Sequence, residues 1–128
     1  MAISLASRTP QHFETAARVA RDLIRNFKNN PFQNPILLNV NVPDLPYEQI
    51  KGMRVTRLGR RHKSSPVVRS ENPRGDTIWW VGAAGAAADM GEETDFHAVA
   101  HGYVSITPLS IDLTAYPQQE LVSSWLSD

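Results

Sequence analysis

The chain has 128 residues, with 13 basic and 13 acidic side chains for a net charge of zero, and no cysteine. That length suits one domain. Zero net charge gives no overall field to draw nucleic acid or an anionic membrane. The lack of cysteine excludes disulfides, thiolate metal sites and a cysteine nucleophile. No apolar run approaches the ~20 residues that span a bilayer. Met1-Ala-Ile-Ser-Leu-Ala6 has neither the basic start nor the apolar length of a secretory signal. A cytoplasmic location is therefore expected, with no nucleic-acid or membrane partner.

Ala2 to Ala6 is a short apolar run of the kind that makes a buried strand. Thr9-Pro10 reads as a helix start, because threonine can cap and proline suits the first helical position. Phe13, Ala16, Ala17, Ala20, Leu23, Ile24 and Phe27 then recur at three- and four-residue steps. They predict one apolar helix face over residues 10–28, with Arg18, Arg21, Asp22 and Arg25 mostly opposite. Asn29-Asn30-Pro31 ends it. Ile36 to Val42 is the clearest strand: its even positions are all apolar, while its odd positions change from leucine to asparagine.

Pro43 and Pro46 break that pattern. Met53 to Leu58 reads as a further strand, and Pro66–Ser70 with Thr77–Gly82 as a hairpin around Asn72-Pro73-Arg74-Gly75. Gly82 to Gly91, rich in glycine and alanine and nearly uncharged, reads as loop. Gly102 to Leu113 is again strand, interrupted at Pro108. Pro117 opens a last short helix with Leu121, Val122, Trp125 and Leu126 on one face. Residues 1–46 thus read as the end of an α/β core, 47–113 as a hairpin and oligomerisation region, and 114–128 as a C-terminal helix. Two parallel strands alone would leave sheet edges bare, so further strands are expected upstream of Met1.

No catalytic constellation emerges. Of His12, His62, His97 and His101, the last two sit four apart, as in a helical zinc pair. The acid that a zincin places after its first histidine is missing, since Ala98 follows His97. Two solvent-facing histidines are the expectation. Glu92 and Glu93, the only adjacent carboxylates, are expected to face water. Arg54, Arg57, Arg60 and Arg61, with His62 and Lys63, form a basic run without interleaved aromatics, which argues against base stacking. It suits a solvated strand edge, pairing between subunits with acids such as Asp112, or anion binding. Trp79-Trp80 places one indole on each face of a strand, which suits packing against a partner subunit.

Several blocks together resemble one family. They are Asn34-Pro-Ile-Leu-Leu-Asn-Val-Asn-Val-Pro-Asp-Leu-Pro46, Ile50-Lys-Gly-Met-Arg-Val-Thr-Arg57 and Gly59-Arg-Arg-His62. Further on come Asn72-Pro-Arg-Gly75, Thr94-Asp95, Gly102-Tyr-Val-Ser-Ile-Thr-Pro-Leu109 and Asp112-Leu-Thr114. In this order and spacing they resemble the C-terminal half of SurE (stationary-phase survival) nucleotidases. The resemblance implies a Rossmann-like α/β fold with antiparallel β-hairpin extensions that exchange between subunits in dimers or tetramers. It also implies Mg²⁺- or Mn²⁺-dependent hydrolysis of nucleoside 5′- and 3′-monophosphates.

The family's metal-holding Asn-Asp-Asp-Gly run, and its Ser-Gly-Thr stretch for phosphate, have no counterpart here. The seven aspartates, at positions 22, 44, 76, 89, 95, 112 and 128, are all isolated. No catalytic or metal-ligating residue is therefore assigned, no cofactor is expected on this chain alone, and the chain alone is expected to be inactive. Trp79, Trp80, Arg57, Tyr103 and Asp112 are the expected interface residues. A stand-alone module that pairs with full-length subunits, or a small anion-binding protein using Arg54, Arg57, Arg60 and Arg61, are the rival readings.

Overall fold

A computed structural model describes residues 1–127. Among them, a mixed sheet takes the order β1 (Ala2–Leu5), β2 (Leu37–Val42), β6 (Val104–Leu109), β3 (Met53–Val55). A hairpin pairs β4 (Val68–Glu71) with β5 (Thr77–Trp80). The helices are α1 (Phe13–Asn29), α2 (Asp95–Ala100) and α3 (Gln119–Trp125), the last entered through a 3₁₀ turn at Tyr116–Gln118. No helix of the described residues is long and apolar enough to cross a membrane.

The alternation in β2 sorts the sheet into two faces. Val40 and Val42 are fully buried with Val19 of α1 and Val104 of β6, and Ile3, Leu5, Leu23 and Ile106 pack around them. Val40 lies opposite Ile3 on one side and Ile106 on the other, so three strands present apolar side chains to α1. On the reverse face Asn39 pairs with Thr107 and Asn41 with Ser105. Ser105 and Thr107 are buried nonetheless. Thr107 is satisfied by the Thr56 hydroxyl at 2.8 Å, as a buried hydroxyl requires.

The helix begins at Phe13, three residues after Pro10, and Thr9 does not cap it. The Asp44 carboxylate takes the backbone N–H groups of Gln11 and His12 instead. A donor–acceptor match 32 residues away thus sets the start. The buried stripe of α1 runs through Thr15, Ala16, Val19 and Leu23, while Phe13 is 65% exposed. The predicted face was therefore rotated from the true one, which includes Thr15 because its hydroxyl donates to the Leu45 carbonyl at 2.8 Å. The other face is not simply solvated. Arg18 lies 3.9 Å over the Tyr47 ring, and the Tyr47 hydroxyl donates to Asp22 at 2.7 Å, clasping the 3₁₀ turn Tyr47–Gln49 to the helix.

Two strand expectations are corrected. Pro108 does not interrupt β6, which continues through it opposite Leu38. The Val104 N–H and Ile106 carbonyl point toward β3, so the backbone of residue 108 does too, and β3 has ended by then. A missing N–H is tolerated at such an unpaired edge. β3 stops at Val55 rather than Leu58, because Arg57 turns to pair with the 93–95 segment. The second edge of β2 is filled by β6, antiparallel and from far along the chain.

Beyond the sheet, residues 60–66 and 82–88 run side by side into the β4–β5 hairpin, joined by His62 N–H to Ala86 O and Ser65 N–H to Ala83 O. A side chain on Gly82 would collide with the Ser65 carbonyl, and one on Gly85 with that of His62. The small residues of this stretch let two backbones meet. At the tip, the Asn72 side chain accepts from the N–H groups of Arg74 and Asp76, and Gly75 takes φ 85°.

Candidate functional site

The polar face of the sheet opens onto a cavity of about 700 Å³ bounded by the segment after β1, by Asn39 and Asn41, by α2 and by the Leu58–Arg61 stretch. Its position beside the C-terminal end of β1 is where open α/β sheets commonly hold ligands. Arg8 and Arg61 both reach it. Arg61 lies 4.7 Å over the Phe96 ring and donates to the Gly85 carbonyl at 3.1 Å. Asp95 also faces it, but its Oδ1 already accepts the N–H groups of Gly59 and Phe96.

The basic run divides once folded. Arg57 donates to Asp89 at 2.7 Å and to Glu93 at 2.7 Å. Hydrogen bonding to Asp89, then Glu93, raises the Arg57 pKa, and Arg57 in turn holds both carboxyls below their ordinary values. Glu93 is exposed, as expected, and is paired with Arg57 as well. Arg54 lies 3.8 Å over Tyr103, an aromatic that the run itself lacks and that the fold brings to it from β6's entry. Asp112 accepts the Tyr116 hydroxyl at 2.6 Å and the Thr114 N–H at 2.9 Å, and these bonds, the tyrosine's first, lower its pKa to about 2. Arg57 and Asp112 are thus both engaged within the chain. Trp79 and Trp80 are 63% and 61% exposed on β5.

His101 is exposed, as expected of it, whereas His97 is half-buried. They lie on α2 and its C-cap with rings stacked 3.9 Å apart. The His101 Nδ1 sits 2.8 Å from the His97 carbonyl oxygen, and the His97 Nδ1 is buried without a partner. Among the described residues no three His, Cys, Asp or Glu side chains come together. The hard-oxygen cage that Mg²⁺ or Mn²⁺ takes is not offered by these residues. Asp89 and Glu93 are committed to Arg57, and Asp95 Oδ1 to backbone N–H groups.

An α/β sheet with one helix on its apolar face, a cavity on the other and a projecting hairpin defines the class. The chain belongs to the SurE family: the model described as Survival protein SurE matches residues 1–65. It is 58% identical over 126 residues to 5′-nucleotidase SurE of Nitrosomonas eutropha, covering 98% of this chain and 51% of the relative. It is 52% identical to 5′-nucleotidase SurE of Hydrogenovibrio crunogenus over all of this chain and 50% of that one. The crystal structure of the SurE protein from Aquifex aeolicus superimposes with a TM-score of 0.76 at 38% identity, covering 99% of this chain and 51% of that one. The chain spans about half the length of the curated relatives it matches.

Proposed function

We propose that this chain is the C-terminal half of a metal-dependent SurE-type nucleotidase that hydrolyses nucleoside 5′- and 3′-monophosphates in the cytoplasm. One observation carries the reading: likeness to proteins named 5′-nucleotidase runs along nearly all of this chain but only about half of theirs. Residues 1–46 supply the end of the α/β core, residues 47–113 the hairpin and oligomerisation region, and the segment that follows the closing helix, α3. The hairpin, with Trp79 and Trp80 exposed on β5, joins subunits of a dimer or tetramer.

The divalent ion belongs to the half of the protein outside this chain, because phosphoryl transfer relies on an ion to neutralise developing charge and no cage for one forms among the residues described. The chain by itself is inactive. The test is a phosphatase assay on AMP and 3′-AMP with Mn²⁺, run on the 128-residue chain alone and mixed with the N-terminal half of a relative. Turnover only on mixing supports the reading. Metal-dependent turnover by the chain alone overturns the division of labour, and makes His97 and His101 the first residues to replace.

A further inference from the structure

We propose that Asp95 is a positioning residue of the nucleotidase site: its Oδ1 accepts the Gly59 N–H and so pins the Leu58–Arg61 wall of the cavity to α2. The proposal rests on the nucleotidase reading, with the substrate in this cavity. It adds a residue that acts on the reaction through the wall.

Local duties do not account for this carboxylate. Thr94 already caps α2, its hydroxyl accepting the His97 N–H at 3.2 Å. Asp95 reaches out of the helix instead, to an N–H 36 positions earlier at 2.8 Å, while the same oxygen takes the Phe96 N–H at 2.9 Å. A carboxylate beside a site for a phosphate ester repels the substrate. Its place there calls for a compensating role.

The wall shows what the bond adds. Backbone bonds lace both its ends to the 86–95 segment. At one end the Arg57 N–H donates to Glu93 O and the Asp95 N–H to Arg57 O; at the other the Ala88 N–H donates to Arg60 O and the His62 N–H to Ala86 O. Between them, Gly59 is held by a side chain. Gly59 also lies so close to α2 that a Cβ there would run into the Phe96 ring and the Asp89 carbonyl. That approach brings its N–H to the carboxylate, and a bond to a charged acceptor is about twice as strong as a neutral one. The helix itself is well seated, with Ala98 fully buried and α2 packed on β6 and β2. A loop pinned to such a scaffold keeps its groups within the narrow tolerance that a reacting site needs.

The test uses a hybrid in which this chain replaces the matched half of a full-length relative, assayed on AMP with Mn²⁺, beside amide exchange at Gly59 in the 128-residue chain. Asp95→Ala should speed Gly59 exchange at least about tenfold, raise KM about tenfold and change kcat by less than about twofold. Asp95→Asn keeps an acceptor oxygen without the charge, and should restore both the protection and the KM. Glu14→Ala on α1, across the sheet, should alter neither. A merely structural role would lower apparent kcat with the active fraction and leave KM alone. That result overturns the proposal, as does an Asp95→Asn that fails like Asp95→Ala. Should Asp95→Ala disturb the circular dichroism spectrum, Asp95→Glu decides, because it keeps the charge and displaces the acceptor by one methylene. A raised KM with kcat kept then supports the proposal, and an unchanged KM overturns it. In each of these outcomes a hybrid that turns over AMP leaves the nucleotidase reading standing. A folded hybrid that is inert before any substitution overturns that reading and this role together.

Discussion

The Asp44 carboxylate accepts the backbone N–H of His12 at 2.8 Å, so the exit of β2 fixes where α1 begins. The same carboxylate accepts from Gln11, and the N–H groups of His12 and Gln11 are among the causes that hold its pKa below the ordinary 3.8. Asp44→Ala should lower the thermal midpoint by a few degrees, the usual direction when a helix start loses its acceptor. Because the folded pKa is depressed, the stabilisation is fully present above about pH 3.8 and fades as pH falls through the lower folded value. Wild-type and Asp44→Ala midpoints should therefore converge in acid. A gap that persisted at pH 2 would show that Asp44 acts through something other than its charge.

Arg57 ties the turn after β3 to the Asp89–Glu93 segment ahead of α2. Arg57→Ala should speed amide hydrogen exchange at Gly91 and Thr94 several-fold, since this exposed network orders a loop more than it stabilises the whole. Arg57→Lys should not restore protection, because an ammonium cannot fork to two carboxylates as a guanidinium does.

Gly82 and Gly75 separate two reasons for glycine. At Gly75 φ is 85° with open space around it, so Gly75→Ala should cost only backbone strain, about 1–2 kcal/mol. At Gly82 a Cβ would enter the Ser65 carbonyl, and neither backbone can yield without parting the arm. Gly82→Ala should cost about 3 kcal/mol by urea unfolding, at the upper end for overpacked sites.

Trp79 and Trp80 point to opposite faces of β5, and both are exposed. Replacing both with serine should leave the thermal midpoint of the isolated subunit unchanged. If the hairpin joins subunits as proposed, sedimentation velocity should show self-association weakened at least about tenfold, the scale of a buried aromatic anchor. Unchanged association would remove the hairpin from the interface.

The elements themselves were legible where the pattern was local. The alternation of β2, the hairpin around Asn72–Gly75 and the Tyr116–Trp125 ending all follow from nearby residues. What local pattern missed was decided across the chain. Asp44 moved the start of α1, Tyr47 drew Asp22 inward, and β6, from far along the chain, took one edge of β2. The Gly82–Gly91 composition signalled irregular chain correctly, but the close approach behind it needed the positions of Ser65 and His62. The site was least legible: Arg61 and Asn39, 22 positions apart and in different blocks, line one cavity beneath α2, which packs on β2.

β6 lies in the middle of the sheet, yet its partner residues in β2 precede it by as many as 72 positions, as Leu37 and Leu109 do. During synthesis, β1, α1 and β2 can leave the ribosome and assemble their βαβ corner while β2's other edge is still bare. Most of the remaining chain, including the hairpin arm, must emerge before that edge is filled. Long loops closed late make slow folders and leave strand edges open to stray pairing. The nascent protein therefore stays vulnerable until Leu109 is made, and a pause in translation anywhere between Pro43 and Gly102 would prolong that exposure.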